Sequence, residues 1–458
     1  MPTTKTLVRA SLFAFAAFAP LIAAAPAHAG AFYLQEQSIK AAGRAFSGEV
    51  SERGVQQLWW NPAAIGGISA PQSFFGVAAV FPHANARNVD TQVIRPTVTI
   101  PGLGVVPGST TSVGGRQNEH NPVNKGFLPT GGFAMPLNDQ FAIGIVSAAP
   151  FGFTSNYAAD SWARYSADKT RLRTFDIQPT IAFSPTPNIS IGAGPNIEYV
   201  RATFSNSIPD PLPPIPGVNA GDDGYQFLKG SGWNIGYSVG IQFHNEHFDF
   251  GVSYKSKITH KLDGSLTISG FTDPVLIAQG VNFSVDTAKA RYTSPWQLQF
   301  GGRYHATQQL TLNAQIVRFG WSEFDTIDLS NLGRLGSQSL PFGYRNTWSY
   351  AGGFDYAVSP KWTLRGGVQR DLSPVRSGER DPRVPDGNRW NFALGSSYAL
   401  TEHMGIDASL GYAKIASNPI DKTTAAFAGT PLQTIVTTSG VLDNGHAIVF
   451  GLGCHMTF

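Results

Sequence analysis

The chain has 458 residues, of which 42% are apolar, and its 33 Lys and Arg nearly balance its 30 Asp and Glu, leaving a formal charge of +3. This near balance, without a basic stripe, argues against nucleic acid as a partner. The single cysteine, Cys454, excludes an internal disulfide.

The first 29 residues have the pattern of a bacterial export signal. Two positive charges precede an apolar run over residues 11–25, and Ala27 and Ala29 follow in the small-x-small arrangement that signal peptidase requires. Prolines interrupt the run before it reaches the roughly 18 apolar residues that a retained anchor needs. We therefore predict a cleaved signal peptide over residues 1–29 and a mature chain that begins at Gly30.

Residues 30–72 have no strand periodicity but carry large apolar side chains, among them Phe32, Trp59 and Trp60. Such a segment is too apolar for a disordered tail in water. We expect it to pack against the rest of the molecule.

Residues 73–458 repeatedly alternate apolar residues with small or polar ones. A period of two is typical of a strand with one oily face. One such face consists of Trp233, Ile235, Tyr237, Val239, Ile241 and Phe243.

Short and long breaks alternate along this part of the chain. Six short turn signals lie at residues 136–139, 184–188, 244–247, 305–309, 359–361 and 401–403. Seven longer segments, rich in Gly, Pro, Asn and Asp, lie at residues 82–126, 151–170, 205–231, 260–290, 322–345, 371–388 and 415–444. Short turns opposite long loops are typical of outer-membrane barrels, and 6 turns with 7 loops join 14 strands.

The last alternating run places Phe450, Leu452, Cys454, Met456 and the terminal Phe458 on one face. A large secreted β-sandwich would share the alternation, but it has no need of a terminal aromatic residue. The run resembles the signal that the outer-membrane assembly machinery of Gram-negative bacteria recognises. We therefore expect that machinery, the outer-membrane lipid and lipopolysaccharide as partners.

A barrel of this size is wider than its own inward side chains can fill. We therefore predict an all-β fold, a 14-stranded antiparallel transmembrane β-barrel over residues 73–458. Residues 30–72 would form a hatch, or plug, inside its lumen.

The residues 43–48, Gly-Arg-Ala-Phe-Ser-Gly, followed by Asn61, Pro62 and Ala63, resemble the hatch of the FadL family. Further stretches match this family in order, at residues 151–153, 254–256, 321–324 and 371–375. The resemblance spans nearly all of the mature chain. It implies passive uptake of hydrophobic molecules, without a cofactor, through an internal pocket.

The resemblance also implies a lateral exit where the third strand kinks beside the hatch. That strand is predicted over residues 141–151, with Pro150 and Phe151 at its end and Gly152 directly after it. Proline removes a ladder donor and glycine permits a bend, so the pairing can be interrupted there. The alternative is a strand that simply ends at its outer loop.

Phe32 matches the phenylalanine beside the family's binding pocket, and we expect it to act as a mobile cork. Its alternative role is an anchor packed on the barrel wall.

We assign Asn61, Pro62 and Ala63 to the conformation of the hatch near the gap, where the Asn61 side chain can satisfy free backbone groups. Hatch architecture alone would explain them equally.

The substrate class stays open between long-chain fatty acids and neutral aromatic hydrocarbons. Fatty acid carriers of this family are expected to meet the carboxylate with basic residues, but alignment places Asn206 and Leu340 there. Neither side chain is charged, although Arg201 or Arg345 could supply the charge instead.

Two other functions fit the sequence less well. A water-filled porin would leave the apolar N-terminal segment outside its pore and need charged rings at a constriction. An outer-membrane hydrolase needs a Ser, a His and a third group in reach, and no such arrangement is recognisable. His244 and His247 have a metal-like spacing, but a solvated turn is the expected reading, so no catalytic or metal site is assigned.

Overall fold

The structure is a computed structural model that describes residues 30–100, 104–212, 222–384 and 386–458. The predicted signal peptide, residues 1–29, lies outside the described residues. None of the helices within the described ranges is long and apolar enough to cross a membrane.

The described strands are numbered in chain order. The first twelve are β1 Gln72–Asn88, β2 Gln92–Arg95, β3 Val98–Ile100, β4 Gly104–Val106, β5 Ser109–Ser112, β6 Asn118–His120, β7 Gly126–Pro136, β8 Phe141–Ala148, β9 Gly152–Asn156, β10 Lys169–Thr186, β11 Ile189–Ile208 and β12 Gly224–His244. The others are β13 Phe248–Lys255, β14 Ile258–Ser269, β15 Phe283–Ser294, β16 Gln297–His305, β17 Leu310–Phe319, β18 Thr326–Ser330, β19 Gln338–Pro341, β20 Thr347–Ser359, β21 Trp362–Asp371, β22 Arg389–Ala399, β23 Met404–Ile415, β24 Asn418–Ala426 and β25 Thr434–Thr457.

The helical elements are short. They are the α-helices α1 Ile39–Ala42 and α2 Pro274–Ala278 and the 3-10 turns Val55–Gln57, Pro62–Ile65, Trp321–Glu323 and Gly333–Leu335.

The strands form a closed antiparallel barrel of 14 wall strands, as predicted. The second wall strand is β7, and the third consists of β8 and β9 in succession. The barrel closes because β25 pairs with β1 from Gln72 opposite Thr457 to Asn88 opposite Gly440. Pairing of the last strand with the first removes the two outer edges that an open sheet would expose.

The outward faces of the wall are the apolar faces predicted from the alternation. On β12 the six residues from Trp233 to Phe243 at alternate positions are all exposed, whereas Ser238 and Gln242 between them are buried. Phe450, Leu452 and Phe458 are likewise exposed on the last strand. Apolar side chains that face away from the barrel fit a lipid environment.

The six predicted short turns all connect consecutive wall strands, but the predicted long loops are too long. The segment 260–290 was expected to be one loop, yet β14 continues to Ser269 and β15 begins at Phe283. The apolar alternation ends where the lipid ends, whereas backbone pairing needs no lipid and continues beyond it. Alternation alone therefore places the outer strand ends too early.

The N-terminal segment, residues 30–71, precedes β1 and is mostly buried. Glycines on distant wall strands make room for it, because a Cβ at any of these positions would collide with its backbone or with Asn61: Gly192 on β11, Gly240 on β12, Gly251 on β13, Gly367 on β21 and Gly395 on β22. The segment therefore contacts opposite sides of the closed sheet.

Candidate ligand cavity and wall opening

The third wall strand is interrupted rather than ended at the predicted position. Its two parts, β8 and β9, both pair with β10, with Ala148 opposite Asp176 and Gly152 opposite Arg173. The third strand thus has one residue more than β10 between these pairs, which is the geometry of a β-bulge. The N–H of Phe151 donates to the hydroxyl of Thr174 at 2.9 Å instead of to a ladder carbonyl.

The same interruption separates the third wall strand from the second. Their ladder runs from Pro136 to Gly131 of β7, where Gly131 lies opposite Ser147, and the next bridge joins Val123 to Ser155. Within the described chain, residues 125–130 and 148–153 form no ladder pair with each other. At about 3.3 Å per residue, roughly 20 Å of each strand has no backbone pairing with the other.

The start of the N-terminal segment pairs with the interrupted strand. The N–H of Leu34 donates to the carbonyl of Pro150 at 2.8 Å, and the N–H of Gly152 donates to the carbonyl of Phe32 at 2.9 Å. Tyr33 and Phe151 form the antiparallel bridge between these two bonds. The start of the N-terminal segment therefore satisfies backbone groups that the neighbouring strand leaves free.

Gln37 completes this contact and was missed by sequence reasoning. Its amide donates to the carbonyl of Ala149 at 3.1 Å and accepts from the N–H of Ala149 at 3.0 Å. Both backbone groups of Ala149 are thereby satisfied by one side chain. No local pattern indicates this pair, since 112 residues separate the partners.

Phe32 lies at the centre of an aromatic cluster and is 1% exposed. Its ring centroid is 5.0 Å from those of Trp321 and Phe324, 5.8 Å from that of Phe151 and 5.7 Å from that of Phe153. The structure thus brings together Phe32 and Phe151, which the sequence predicted as site residues. It adds Trp321 and Phe324, which lie in the stretch 321–324 that resembles the FadL family.

Asn61, Pro62 and Ala63 lie elsewhere. Asn61 caps the turn Pro62–Ile65 by accepting from the N–H of Ala63 at 2.9 Å, and its amide donates to the carbonyls of Val50 at 2.7 Å and Ile241 at 3.2 Å. Pro62 and Ala63 pack against Gly192 of β11. These three residues shape the N-terminal segment against β11 and β12, away from the contacts of Phe32 and Pro150.

A buried ion-pair network fixes the same segment to the wall. Arg44 is fully buried and pairs with Glu49 at 2.6 Å, with Asp355 of β20 at 2.9 Å and with Glu52. Arg303 of β16 joins it by pairing with Glu52 at 2.9 Å. A buried pair of this kind strongly disfavours loss of one partner, because the other charge is left uncompensated.

Phe32, Phe153 and Phe324 of this cluster line a cavity of about 640 Å³. Its lining is mainly apolar and includes Phe32, Phe153, Leu172, Leu228, Leu262 and Tyr292. A cavity of this size and lining is of the kind that binds a small hydrophobic molecule. Tyr165 also lines it and stays neutral, since burial and then the carboxylate of Asp223 raise the pKa of Tyr165 to about 12.

Asn206 and Leu340 both line this cavity, as the alignment predicted. The Asn206 amide donates to the backbone carbonyls of Tyr165 at 3.3 Å and Ser207 at 2.9 Å. Arg201 and Arg345 are not among the lining residues. Neither of the two arginines considered as a source of charge therefore reaches the cavity.

Five cations among the described residues line the cavity. Lys229, Lys289 and Arg334 are exposed, whereas the other two are buried or half-buried and each has a carboxylate partner. Lys422 pairs with Glu379 and donates to the carbonyl of Pro341 at 2.8 Å. Arg383 pairs with Asp381 at 3.0 Å. Because both cations are already compensated, their attraction for a further anion is reduced.

The turn after β12 contains the two histidines with a metal-like spacing, His244 and His247. His244 bonds to Asp249 at 2.9 Å and to Gln242 at 3.1 Å. In the described ranges, no group of three or more His, Cys, Asp or Glu side chains is placed to hold a metal.

Comparisons with known proteins agree with this architecture. Residues 20–458 match the family described as outer membrane protein transport protein (OMPP1/FadL/TodX). The chain is 26% identical to the long-chain fatty acid transport protein of Escherichia coli O6:H1, over 88% of this chain and 91% of that protein.

Two solved structures share the fold. A Pseudomonas aeruginosa FadL homologue has a TM-score of 0.77 at 23% identity and covers 93% of this chain and 100% of its own. The Pseudomonas putida toluene transporter TodX has a TM-score of 0.62 at 14% identity, over 94% of this chain and 100% of its own.

Proposed function

The chain belongs to the OMPP1/FadL/TodX family of outer membrane transport proteins, and from this premise we propose that it takes up hydrophobic compounds across the outer membrane by diffusion, without a cofactor. The observation that carries the proposal is the apolar cavity, because Phe32 both lines it and contacts Phe151 of the interrupted third wall strand. In this proposal residues 30–72 are the hatch and residues 73–458 the barrel.

The proposed exit is lateral, through the wall between β7 and the third wall strand. An oily ligand released into water is rehydrated at a cost of about 0.8 kcal/mol per CH₂ group. Passage through an opening in the wall avoids that cost, because the ligand moves from an apolar cavity directly into lipid. Pro150, Phe151 and Gly152 are assigned to this opening.

Phe32 is the proposed gate. It lies between the cavity and the opening, and its backbone is attached there by the bonds of Phe32 to Gly152 and of Leu34 to Pro150. Backbone hydrogen bonds contribute only about 0.5–1.5 kcal/mol each, so their transient loss is accessible to thermal motion. Asn61, Pro62 and Ala63 keep their proposed role in the conformation of the hatch, since all three are fully buried.

Long-chain fatty acids are the first substrate candidate. The support is the apolar cavity and the likeness to a relative named a long-chain fatty acid transport protein. Neutral aromatic hydrocarbons are the second candidate. They are favoured by the uncharged Asn206 and Leu340 and by the compensated Lys422 and Arg383.

The function is tested by filling the cavity. Ala202 of β11 faces the cavity and is 5% exposed, whereas Ala193 of the same strand faces outward. In liposomes that contain the purified protein, Ala202→Trp is expected to reduce uptake of oleate or toluene about tenfold, because the ring occupies the ligand volume. Ala193→Trp is the matched control and keeps wild-type uptake.

Equal uptake by Ala202→Trp and wild type would contradict a route through this cavity. Competition among oleate, methyl oleate and toluene in the same liposomes separates the two substrate classes. Fatty acid transport requires that oleate compete much better than its neutral ester.

A further inference from the structure

A group of polar side chains lies inside the barrel, on the inward faces of neighbouring wall strands. The group, which we call the inner polar cluster, consists of Asp176 and Gln178 of β10, Asn196 and Glu198 of β11, Asn234 and Ser238 of β12, Lys255 of β13 and His260 of β14. All of these side chains are buried except Asn234, which is half-buried. Asn196 donates to Asp176 and to Gln178, at 3.1 Å each. Glu198 lies opposite Asp176 on one side and opposite Asn234 on the other.

The inner polar cluster borders the ligand cavity. Leu262 is the next inward residue after His260 on β14, and the ring centroids of Tyr292 and His260 are 4.7 Å apart. Leu262 and Tyr292 both line the cavity. On its other side the cluster reaches the interrupted wall strand, because Asp176 lies opposite Ala148. In the proposed route, a ligand that moves from the cavity to the wall opening therefore passes the cluster.

Several polar atoms of the cluster have no hydrogen-bond partner within the described chain. They are Oδ2 of Asp176, Oε1 of Glu198, Nδ2 of Asn234 and both ring nitrogens of His260. Nε2 of His260 lies 3.4 Å from Oε1 of Glu198, but the two atoms are not aligned for a hydrogen bond. Buried polar atoms are costly without a partner, so their clustering points to a polar ligand group or to water.

This cluster differs from other buried sites that contain an unpartnered atom. Outside it, the described ionisable side chains that are more than nine-tenths buried and have such an atom are Arg303, Asp355, Arg365 and Asp371. Each of these four forms an ion pair at 2.9 Å or less. Their unpartnered atoms therefore belong to groups that already have a counter-charge.

The lysine of the cluster has little to offer an anion. Lys255 donates to Oε1 of Gln178 at 2.6 Å and to the hydroxyl of Ser238 at 3.1 Å, and its Nζ lies 3.7 Å from the ring centroid of Trp59. The donors of Lys255 are thus engaged, and the two acids of the cluster offset its charge. A carboxylate head would also leave those acids without a donor, because an ionised carboxylate only accepts hydrogen bonds.

We propose that the inner polar cluster binds the hydroxyl group of a long-chain alcohol while the hydrocarbon chain lies in the cavity. A hydroxyl both donates and accepts, so it can donate to Glu198 and accept from an N–H of His260 or Asn234. It needs no more room than the water molecule that such polar groups otherwise hold. This inference rests on the proposed uptake through the cavity and names an uncharged amphiphile as its substrate class.

The test measures binding of oleyl alcohol, oleate and octadecene, which have the same chain length, to the purified full chain at neutral pH in a detergent without hydroxyl groups. The alcohol is expected to bind at least about tenfold more tightly than the other two, because it gains a charge-assisted hydrogen bond. Glu198→Met with His260→Phe removes the unpartnered atoms of both side chains, and this double variant is expected to bind the alcohol and octadecene within about twofold of each other.

Asp407→Leu with His455→Phe is the matched control, because this other acid–histidine pair is already bonded at 2.8 Å. The control is expected to keep the preference of the wild type for the alcohol. Heat-modifiable migration on gels shows whether each variant is folded. His260→Phe alone keeps a ring against Tyr292 and serves where the double variant does not fold; it is expected to reduce the preference about threefold or more.

Equal binding of the alcohol and octadecene by the wild type would overturn the proposal, because the polar atoms would then hold water only. Tighter binding of oleate, or an unchanged preference for the alcohol in the variants of Glu198 and His260, would overturn it as well. Ala202→Trp separates this inference from the proposed function. If it leaves the binding of all three ligands unchanged, the cavity itself is contradicted, whereas weaker binding of all three without a wild-type preference for the alcohol contradicts only the hydroxyl site.

Discussion

The pair β11 and β12 and the third wall strand belong to the same closed sheet, but their backbone groups have different kinds of hydrogen-bond partner. β11 and β12 pair without a register shift from Ile189 opposite Phe243 to Ile208 opposite Gly224. The third wall strand is interrupted after Ala148, and backbone groups of residues 149–152 are hydrogen-bonded to Phe32, Leu34 and Gln37 instead of to a neighbouring strand. In the proposed route, β11 and β12 stay paired as a fixed part of the wall, whereas the third wall strand opens when the N-terminal segment moves.

The largest expected effect comes from releasing the whole N-terminal segment. Arg44→Ala leaves Glu49, Glu52 and Asp355 partly uncompensated, which is expected to cost about 3–5 kcal/mol at a buried site. We expect an ion-leaky barrel, measured as steady single-channel current in planar bilayers. The control is Arg53→Ala, because the Arg53 guanidinium bonds only to the carbonyl of Pro187, at 3.0 Å, in the described chain.

If the Arg44→Ala variant carried no steady current, this would contradict the view that the ion-pair network holds the segment in place. Deletion of residues 31–45 is the stronger form of the same test, and it too should produce a leak.

An intermediate effect is expected at the contact with Ala149. Gln37→Ala removes the amide that satisfies both backbone groups of Ala149, at a cost of about 1–3 kcal/mol. Hydrogen exchange at residues 149–152 should then accelerate about tenfold or more, because local opening becomes easier. Gln35→Ala is the matched control, since Gln35 bonds to Gln369 on β21 instead. Similar exchange rates in both variants would show that Gln37 does not hold the interrupted strand in place.

The smallest effect is expected at Pro150. Pro150→Ala keeps the carbonyl that accepts from the N–H of Leu34 at 2.8 Å, and it adds one N–H donor. Uptake should therefore change by less than about threefold, which is below the effect of losing a buried hydrogen bond. A complete loss of uptake would show that the missing donor of Pro150, rather than the pairing with the N-terminal segment, keeps the strand interrupted.

The strands of the barrel wall could be predicted from the sequence because the patterns that mark them are local. Alternation marked the outward residues from Trp233 to Phe243, the turn signals marked six strand connections, and Pro150 with Gly152 marked the interruption. The outer strand ends were misplaced, because pairing beyond the lipid leaves no apolar pattern.

The contacts that attach the N-terminal segment could not be read in this way. Arg44 and Asp355 are 311 residues apart, and Gln37 and Ala149 are 112 residues apart. Only the closed sheet brings such residues together. The sequence placed Asn61, Pro62 and Ala63 near the gap, whereas their contacts lie on β11 and β12.

The central claim is that Phe32 and its neighbours must leave the interrupted strand for transport to occur. Tyr33 and Phe151 form a bridge flanked by the bonds of Leu34 to Pro150 and of Gly152 to Phe32. Such a non-hydrogen-bonded pair brings the Cα atoms to about 4.5 Å, within the range of a disulfide. Tyr33→Cys with Phe151→Cys, in a Cys454→Ser background, therefore creates a reversible lock.

The decisive measurement is uptake by this variant in liposomes before and after reduction, with the two single-cysteine variants as controls. The account predicts that the oxidised double variant does not transport, that reduction restores its uptake, and that the single variants do not respond to the reductant. Equal uptake in the oxidised and reduced states would contradict it, because transport would then proceed with the segment held against the wall.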